Sequence, residues 1–206
     1  MNSIYREAPI NLLVEGLTDE VVAKRLLAHV GLVPGKSFGK SGKANLLARL
    51  PNYNQAARHS IWFAMIDLDN DAVCASQAIA RWLPEKAQDM VLRVVVKAVE
   101  AWLMADIESM AAFLHVSPSL FPGNPDGEEN PKEKLLNIAR RSTNTTIRND
   151  FVPRQGSGTS EGPEYATLLN EFTTKYGRPE EAAKRSSSLN RCINALSAVK
   201  GAISEW

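Results

Sequence analysis

Apolar residues gather in short continuous runs, and between the runs they recur at helical spacing. The runs are residues 10–14 (INLLV), 61–66 (IWFAMI) and 90–96 (MVLRVVV). Unbroken apolar runs of this length read as strands buried on both faces, the kind found in parallel sheets. After the first run, Val21, Val22, Leu26, Leu27 and Val30 predict a helix. Thr18 stands at its cap, and it stops at Gly31 with Pro34 beyond. Shorter helices are expected at 45–50 and 75–83, the second ended by Pro84. The third run passes into a helix expected to continue to about residue 114. Strands alternating with helices predict an α/β fold, a mostly parallel sheet flanked by helices.

Beyond residue 117 the pattern changes. Residues 118–130 are rich in Pro, Gly, Asn and acids and read as loop, and Pro131 opens a helix to about 139. Residues 142–150 and 155–162 are polar and read as mobile loop segments. Helices are expected at 165–176 and 180–199, the latter interrupted near Ser186 to Ser188. The expected organisation is an α/β core at 1–116 with a loop-rich, helical C-terminal extension at 117–206.

The strand runs end in acids. Glu15 follows the first, Asp67, Asp69 and Asp71 follow the second, and Glu100 stands where the third gives way to a helix. Parallel sheets bind ligands beyond the carboxyl ends of their strands. Alternation along a strand would point Asp67 and Asp69 the same way, with Asp71 joining them if the backbone stays extended. Crowded carboxylates repel unless a proton or a cation intervenes, and oxygen ligands at this spacing suit a hard divalent ion. The same residues also suit an ordinary turn and helix cap.

Residues 34–43 (PGKSFGKSGK) mimic a phosphate-binding P-loop. Three residues separate each candidate first glycine from Gly-Lys-Ser, where four are needed. That excludes ATP hydrolysis by this motif and leaves a flexible basic loop carrying Lys36, Lys40 and Lys43, either a phosphate contact or simply solvated.

Composition narrows the setting. The chain has 206 residues, 44% hydrophobic and 23% charged, which is ordinary for a soluble domain. With a net charge of +1, any phosphate binding must come from a local basic patch. Two cysteines, Cys74 and Cys192, make neither a metal spacing nor a disulfide scaffold, and both are expected to be reduced. Residues 1–7 lack a signal-peptide pattern, and no apolar run approaches membrane-spanning length, so a cytoplasmic protein is expected.

Leu12-Leu13-Val14-Glu15-Gly16 followed by Ile66-Asp67-Leu68-Asp69 resembles the TOPRIM domain, the Rossmann-like metal-binding fold shared by topoisomerases, primases and OLD-family nucleases. Ala72 stands where TOPRIM often carries a glycine after the acids. Much of the remaining chain resembles the family called domain of unknown function 4276. That resemblance runs through residues 42–47, Arg93, the Glu100-Ala101-Trp102-Leu103 stretch, Pro131-Lys132, Gly162-Pro163-Glu164-Tyr165 and Ser188-Leu189 to Arg191.

The resemblance implies a Mg²⁺- or Mn²⁺-dependent nuclease acting on phosphodiesters. Glu15 would be a general acid/base or a metal ligand, and Asp67 and Asp69 metal ligands. Asp71 is a further candidate ligand beside them, and Glu100 and Asp106 could complete a second metal position, with Glu100 also a candidate for the catalysis. Lys43, Arg93, Lys132 and Arg191 are candidate phosphate contacts. A separate ATPase partner in a defence-type system is the expected context, since the chain has no ATPase motif of its own. The competing expectation is a non-catalytic binding or regulatory module that keeps the fold.

Overall fold

A computed structural model describes residues 9–204, so the reading of residues 1–7 lies outside the described residues. The chain divides into two compact units, residues 1–96 with 188–206, and residues 97–187.

The first unit is a four-stranded, all-parallel sheet flanked by helices, an α/β Rossmann-like fold. In chain order it runs β1 (Ile10–Val14), α1 (Leu17–His29), β2 (Pro34–Gly39), α2 (Lys43–Ala56), β3 (Trp62–Asp67), α3 (Ala75–Trp82) and β4 (Met90–Val95). The strand order is β2-β1-β3-β4. From β1 the chain moves to one side for β2, then crosses back to the other side for β3 and β4. The reversal between β1 and β3 is a topological switch point, and in open α/β sheets ligands bind in the crevice beyond the strand ends there.

The three apolar runs are strands as their patterning predicts, because both faces are covered. Leu13, Trp62, Ala64, Ile66, Met90 and Leu92 pack against Leu46 and Leu50 of α2 and Leu83 after α3. On the other face Leu12, Phe63 and Met65 are also buried, as are Val22, Ala23, Leu26 and Leu27 of α1. Each such large side chain taken from water contributes about 1.5–3 kcal/mol, the main term fixing the register.

Edge strand β2 departs from the expectation of a flexible loop over 34–43, since only residues 40–42 remain loop. Its sequence is poor in strand formers, but the β1 backbone supplies the ladder, pairing Leu12 with Ser37, Leu13 with Phe38 and Val14 with Gly39. Gly39 is required there. Its φ is +89°, and a Cβ would stand 2.2 Å from the Val14 carbonyl oxygen. Helix α2 is also longer than the expected 45–50. Leu46, Leu50 and Asn54 are buried along it, and Asn54 is held at both ends of its amide by the Glu85 carbonyl (2.8 Å) and the Ala87 N–H (2.9 Å). Those anchors carry the helix through Pro51.

The second unit is helical: α4 (Val99–Met104), α5 (Ile107–Leu114), α6 (Pro131–Ala139), α7 (Thr145–Asp150), α8 (Tyr165–Lys175) and α9 (Pro179–Ala182). Trp102, Phe151 and Phe172 are its largest fully buried side chains. Two differences from expectation have local causes. The helix expected to continue to 114 breaks at Ala105 and Asp106, where the Asp106 carboxylate is drawn to Arg178. Residues 145–150 are helical rather than mobile loop, because Asn144 Oδ1 accepts from the Thr146 N–H (2.9 Å) and Ile147 is buried. Helix α10 (Ser187–Ser204) is the last element among the described residues, and from Ser188 it belongs to the first unit. Among the described residues no helix is long and apolar enough to cross a membrane.

Candidate functional site

The acids of the first unit collect at the switch point. Strand β3 ends at Asp67, which leaves the sheet half-buried, and the adjacent β1 runs directly into Glu15. The Asp67 N–H donates to Glu15 Oε1 at 2.9 Å, so the two strand ends are joined side chain to backbone. Burial pushes the Glu15 carboxyl up from 4.5 to about 7. The Asp67 N–H pulls it down in part, Asp19 and Asp69 raise it, and Lys43 lowers it. Glu15 is therefore divided between its protonated and ionised forms near neutral pH.

Beyond Asp67 the chain turns instead of continuing extended. Asp69 takes a left-handed φ of 47°, which aspartate tolerates better than most residues, and the Asp71 N–H closes on the Leu68 carbonyl at 3.1 Å. Strand alternation consequently does not orient Asp69. What gathers this turn is Lys43, from the first residue of α2. Its ammonium lies 2.6 Å from the Asp67 carbonyl oxygen, 3.3 Å from that of Leu68, 3.0 Å from Asp69 Oδ2 and 2.8 Å from Asp71 Oδ2. The Trp82 ring lies 5.1 Å from the same ammonium. Burial opposes the charge on Lys43, but the bonds to Asp71 and Asp69 outweigh it and hold the group above its usual range.

This donor set suits a hard cation: two carboxylates and two carbonyl oxygens already surround a positive charge, with the half-buried Glu15 and Asp67 beside them. Among the described residues, no three His, Cys, Asp or Glu side chains stand close enough together to hold a metal ion as they are. Glu15, Asp67 and Asp69 are brought to neighbouring strand ends, but Glu15 is turned to a backbone N–H and Asp69 to Lys43.

The other sequence candidates fall elsewhere. Arg93 lies on β4 opposite Met65, half-buried, with an Nε that is buried and without a hydrogen-bond partner. Arg191 is exposed on α10. In the second unit, Glu100 is buried and its Oε1 accepts from the Tyr165 hydroxyl at 2.9 Å. Lys132 lies 5.1 Å over the Tyr165 ring and pairs with Glu161. Asp106 is 1% exposed and holds Arg178 through that residue's backbone N–H (2.9 Å), Nε (3.1 Å) and Nη2 (2.6 Å).

Sequence reasoning missed three partners. Lys43 was read as a phosphate contact, not as the cation that organises the acidic turn; its position right after Gly42 at a helix start was the available signal. Tyr165 and Arg178 were not paired with Glu100 and Asp106, and contacts spanning 65 and 72 residues leave no local signal.

Comparison with protein families, with curated proteins and with solved structures finds no match to this chain. The resemblance set out above therefore rests on its motif residues.

Proposed function

We propose that the first unit is a metal-dependent phosphodiesterase of the TOPRIM type, acting on nucleic acid. The observation that supports it best is the oxygen cage of the acidic turn, which holds a cation at the switch point beside a carboxyl group that titrates near neutrality. Mg²⁺ or Mn²⁺ would be held by Asp67, Asp69 and Asp71, the oxygen-rich donor set such ions prefer, with Glu15 either a further ligand or, unligated, the proton-transfer group. The ion would supply charge for a phosphodiester oxygen and acidify a bound water.

The chain's own residues do the rest. Near pH 7, Glu15 can accept or return a proton at its carboxylate, the condition that favours general acid–base work. Lys43, already at the turn, can hold a phosphate oxygen when its carboxylates are otherwise engaged. Asp67 is fixed by the end of a buried strand, so its carboxylate needs little ordering. Glu100 and Asp106 have structural partners in the second unit and stand outside this set. ATP hydrolysis belongs to a separate ATPase partner in this reading, because neither glycine register of residues 34–43 is a P-loop. The setting is the cytoplasm, in a defence-type system.

The test is cleavage of single- and double-stranded DNA and RNA with Mg²⁺ or Mn²⁺, with and without candidate ATPases. Metal-dependent cleavage lost in Asp67→Asn supports the reading, and cleavage unchanged in that variant ends it. One observation favours a second reading, a non-catalytic binding or regulatory module: Lys43 already neutralises the turn, so the turn needs no metal in order to be stable.

A further inference from the structure

One cleft in the first unit plays no part in the acid site. It lies where the end of β2 meets the outer side of α2, lined by Gly39, Ser41, Asn45, Leu46, Arg49 and Tyr53, and encloses about 330 Å³ including its open side. Its enclosed part is about 80 Å³, well below the roughly 300–1,000 Å³ of small-molecule pockets, so it can seat only one part of a ligand that runs on past it. Asn45, Arg49 and Tyr53 recur every four residues along α2, so they form one row on the helix, and Ser41 stands in the loop before it.

The polar groups of this row are largely uncommitted. Among the described residues, Arg49 makes no ion pair and no hydrogen bond, whereas Lys24, Lys40, Lys43, Lys132, Lys175 and Lys184 each hold a carboxylate. Asn45 uses its amide nitrogen on the Ser41 carbonyl oxygen at 3.0 Å, which leaves its oxygen as an acceptor. Tyr53 is half-buried and braced by Phe38 (5.8 Å between ring centroids) and Trp62 (5.1 Å), a fixed aromatic wall at the far end of the row. An exposed, unpaired guanidinium, an amide acceptor and a braced aromatic along one cleft match the parts of a nucleotide: phosphate, sugar or base edge, and base face.

The strand order connects this cleft with the acidic turn. Along the carboxyl edge of the sheet, Gly39 of β2, Glu15 after β1 and Asp67 of β3 follow one another, and the Gly42 N–H donates to the Glu15 carbonyl at 3.2 Å. Neighbouring strands are about 4.8 Å apart, so the β2 end lies on the order of 10 Å from the β3 end.

We propose that this cleft binds one nucleotide of a single nucleic-acid strand next to the phosphodiester at the acidic turn. Arg49 takes its phosphate, Asn45 a sugar or base edge, and Tyr53 bounds its base. The proposal rests on the phosphodiesterase reading for its substrate class, although the binding can be measured without cleavage.

The experiment is fluorescence anisotropy of a short labelled single-stranded oligonucleotide on the full chain with EDTA present. Wild type is compared with Arg49→Ala, Arg49→Lys and the control Arg140→Ala, and cleavage with Mn²⁺ is measured in parallel. Arg49→Ala should weaken binding about tenfold and flatten the slope of log K against log salt by about 0.7, the share of one phosphate contact on a single strand. Arg49→Lys should keep the slope, and Arg140→Ala should bind as wild type. Competition by a free mononucleotide should be at least tenfold weaker than by the oligonucleotide; equal competition would assign the cleft to free nucleotides and overturn the strand proposal. Asp67-dependent cleavage with Arg49→Ala binding as wild type overturns the cleft and leaves the phosphodiesterase. Arg49-dependent binding with no cleavage under any metal keeps the cleft and overturns the phosphodiesterase. Neither binding nor cleavage overturns both.

Discussion

Glu15 Oε1 accepts the backbone N–H of Asp67 at 2.9 Å, so the carboxyl group that titrates near neutrality is held against the end of the neighbouring strand. The contact belongs to the fold as much as to any chemistry, because it bridges β1 and β3 where the strand order reverses.

Its consequence for stability follows from the direction of the shift. Glu15 goes from 4.5 to about 7 because burial disfavours its charge, so the folded state binds the proton more tightly than the unfolded state does. That contribution is fully present below about pH 4.5 and is lost as pH rises through about 7. The shift corresponds to ~3 kcal/mol, which partial exposure reduces to about 1–2 kcal/mol. Glu15→Gln keeps an acceptor for the Asp67 N–H and cannot ionise. Its stability in urea should exceed that of wild type at pH 8 by this amount, and the two should converge at pH 4.5. An equal difference at both pH values would mean that the burial is not what holds the carboxyl group neutral.

Lys43 sets the second expectation. Replacing it with methionine keeps much of its stem against Trp82 and removes the cation between Asp69 and Asp71. Because both carboxylates are partly exposed, the cost in stability is expected to be small, about 1 kcal/mol, and smaller still in high salt. Divalent-ion affinity should move the other way, with Mn²⁺ binding tightening several-fold once the tethered ammonium no longer competes. Titration of Mn²⁺ followed by electron paramagnetic resonance reads this directly. Unchanged or weaker binding in Lys43→Met would show that the ion does not share the oxygens of the turn.

The sheet was legible in the sequence wherever burial on both faces left an unbroken apolar run, as at Phe63 to Ile66. Strand β2 was not, because Gly35, Lys36 and Gly39 look like loop residues and only the β1 ladder makes them a strand. Glu15 and Asp67 were legible as strand ends. The gathering of Asp69 and Asp71 was not, because it depends on a left-handed residue and on a lysine 26 and 28 positions earlier, neither of which alternation encodes. Asp106 is the opposite case: an acid within an expected helix reads as a candidate ligand, and its carboxylate holds Arg178.

Asp106 can be tested on that basis. Burial alone would raise its carboxyl group, but the side-chain and backbone bonds from Arg178 outweigh it and hold it below the usual range. A depressed carboxylate stabilises the fold above its unfolded value and loses that contribution as pH falls through its folded value. Asp106→Ala should cost about 2–3 kcal/mol at pH 7, because it leaves the Arg178 N–H and guanidinium without their acceptor. The cost should shrink in acid. At a temperature where the variant is folded by circular dichroism, metal-dependent cleavage should be unchanged; a loss of activity in the folded variant would restore Asp106 as a ligand.

Asp67 and Asp71 provide the sharpest contrast. Asp67 ends a strand whose preceding residues, Phe63 to Ile66, are at most 1% exposed, so its side chain starts from a rigid backbone. Asp71 lies in the turn with its side chain 39% exposed and Lys43 as its partner. A ligand held by a rigid element loses more on substitution than one whose place water can take. Asp67→Asn is nearly isosteric and should abolish Mg²⁺- or Mn²⁺-dependent cleavage, a fall of at least a hundredfold, with the melting temperature unchanged or slightly higher. Asp71→Asn weakens one of the bonds to Lys43 and should retain activity within about tenfold of wild type. Timed cleavage of single- and double-stranded substrates across a metal titration separates the two variants. If Asp71→Asn proves as damaging as Asp67→Asn, the turn as a whole is the ligand, and preorganisation by β3 is not what ranks its carboxylates.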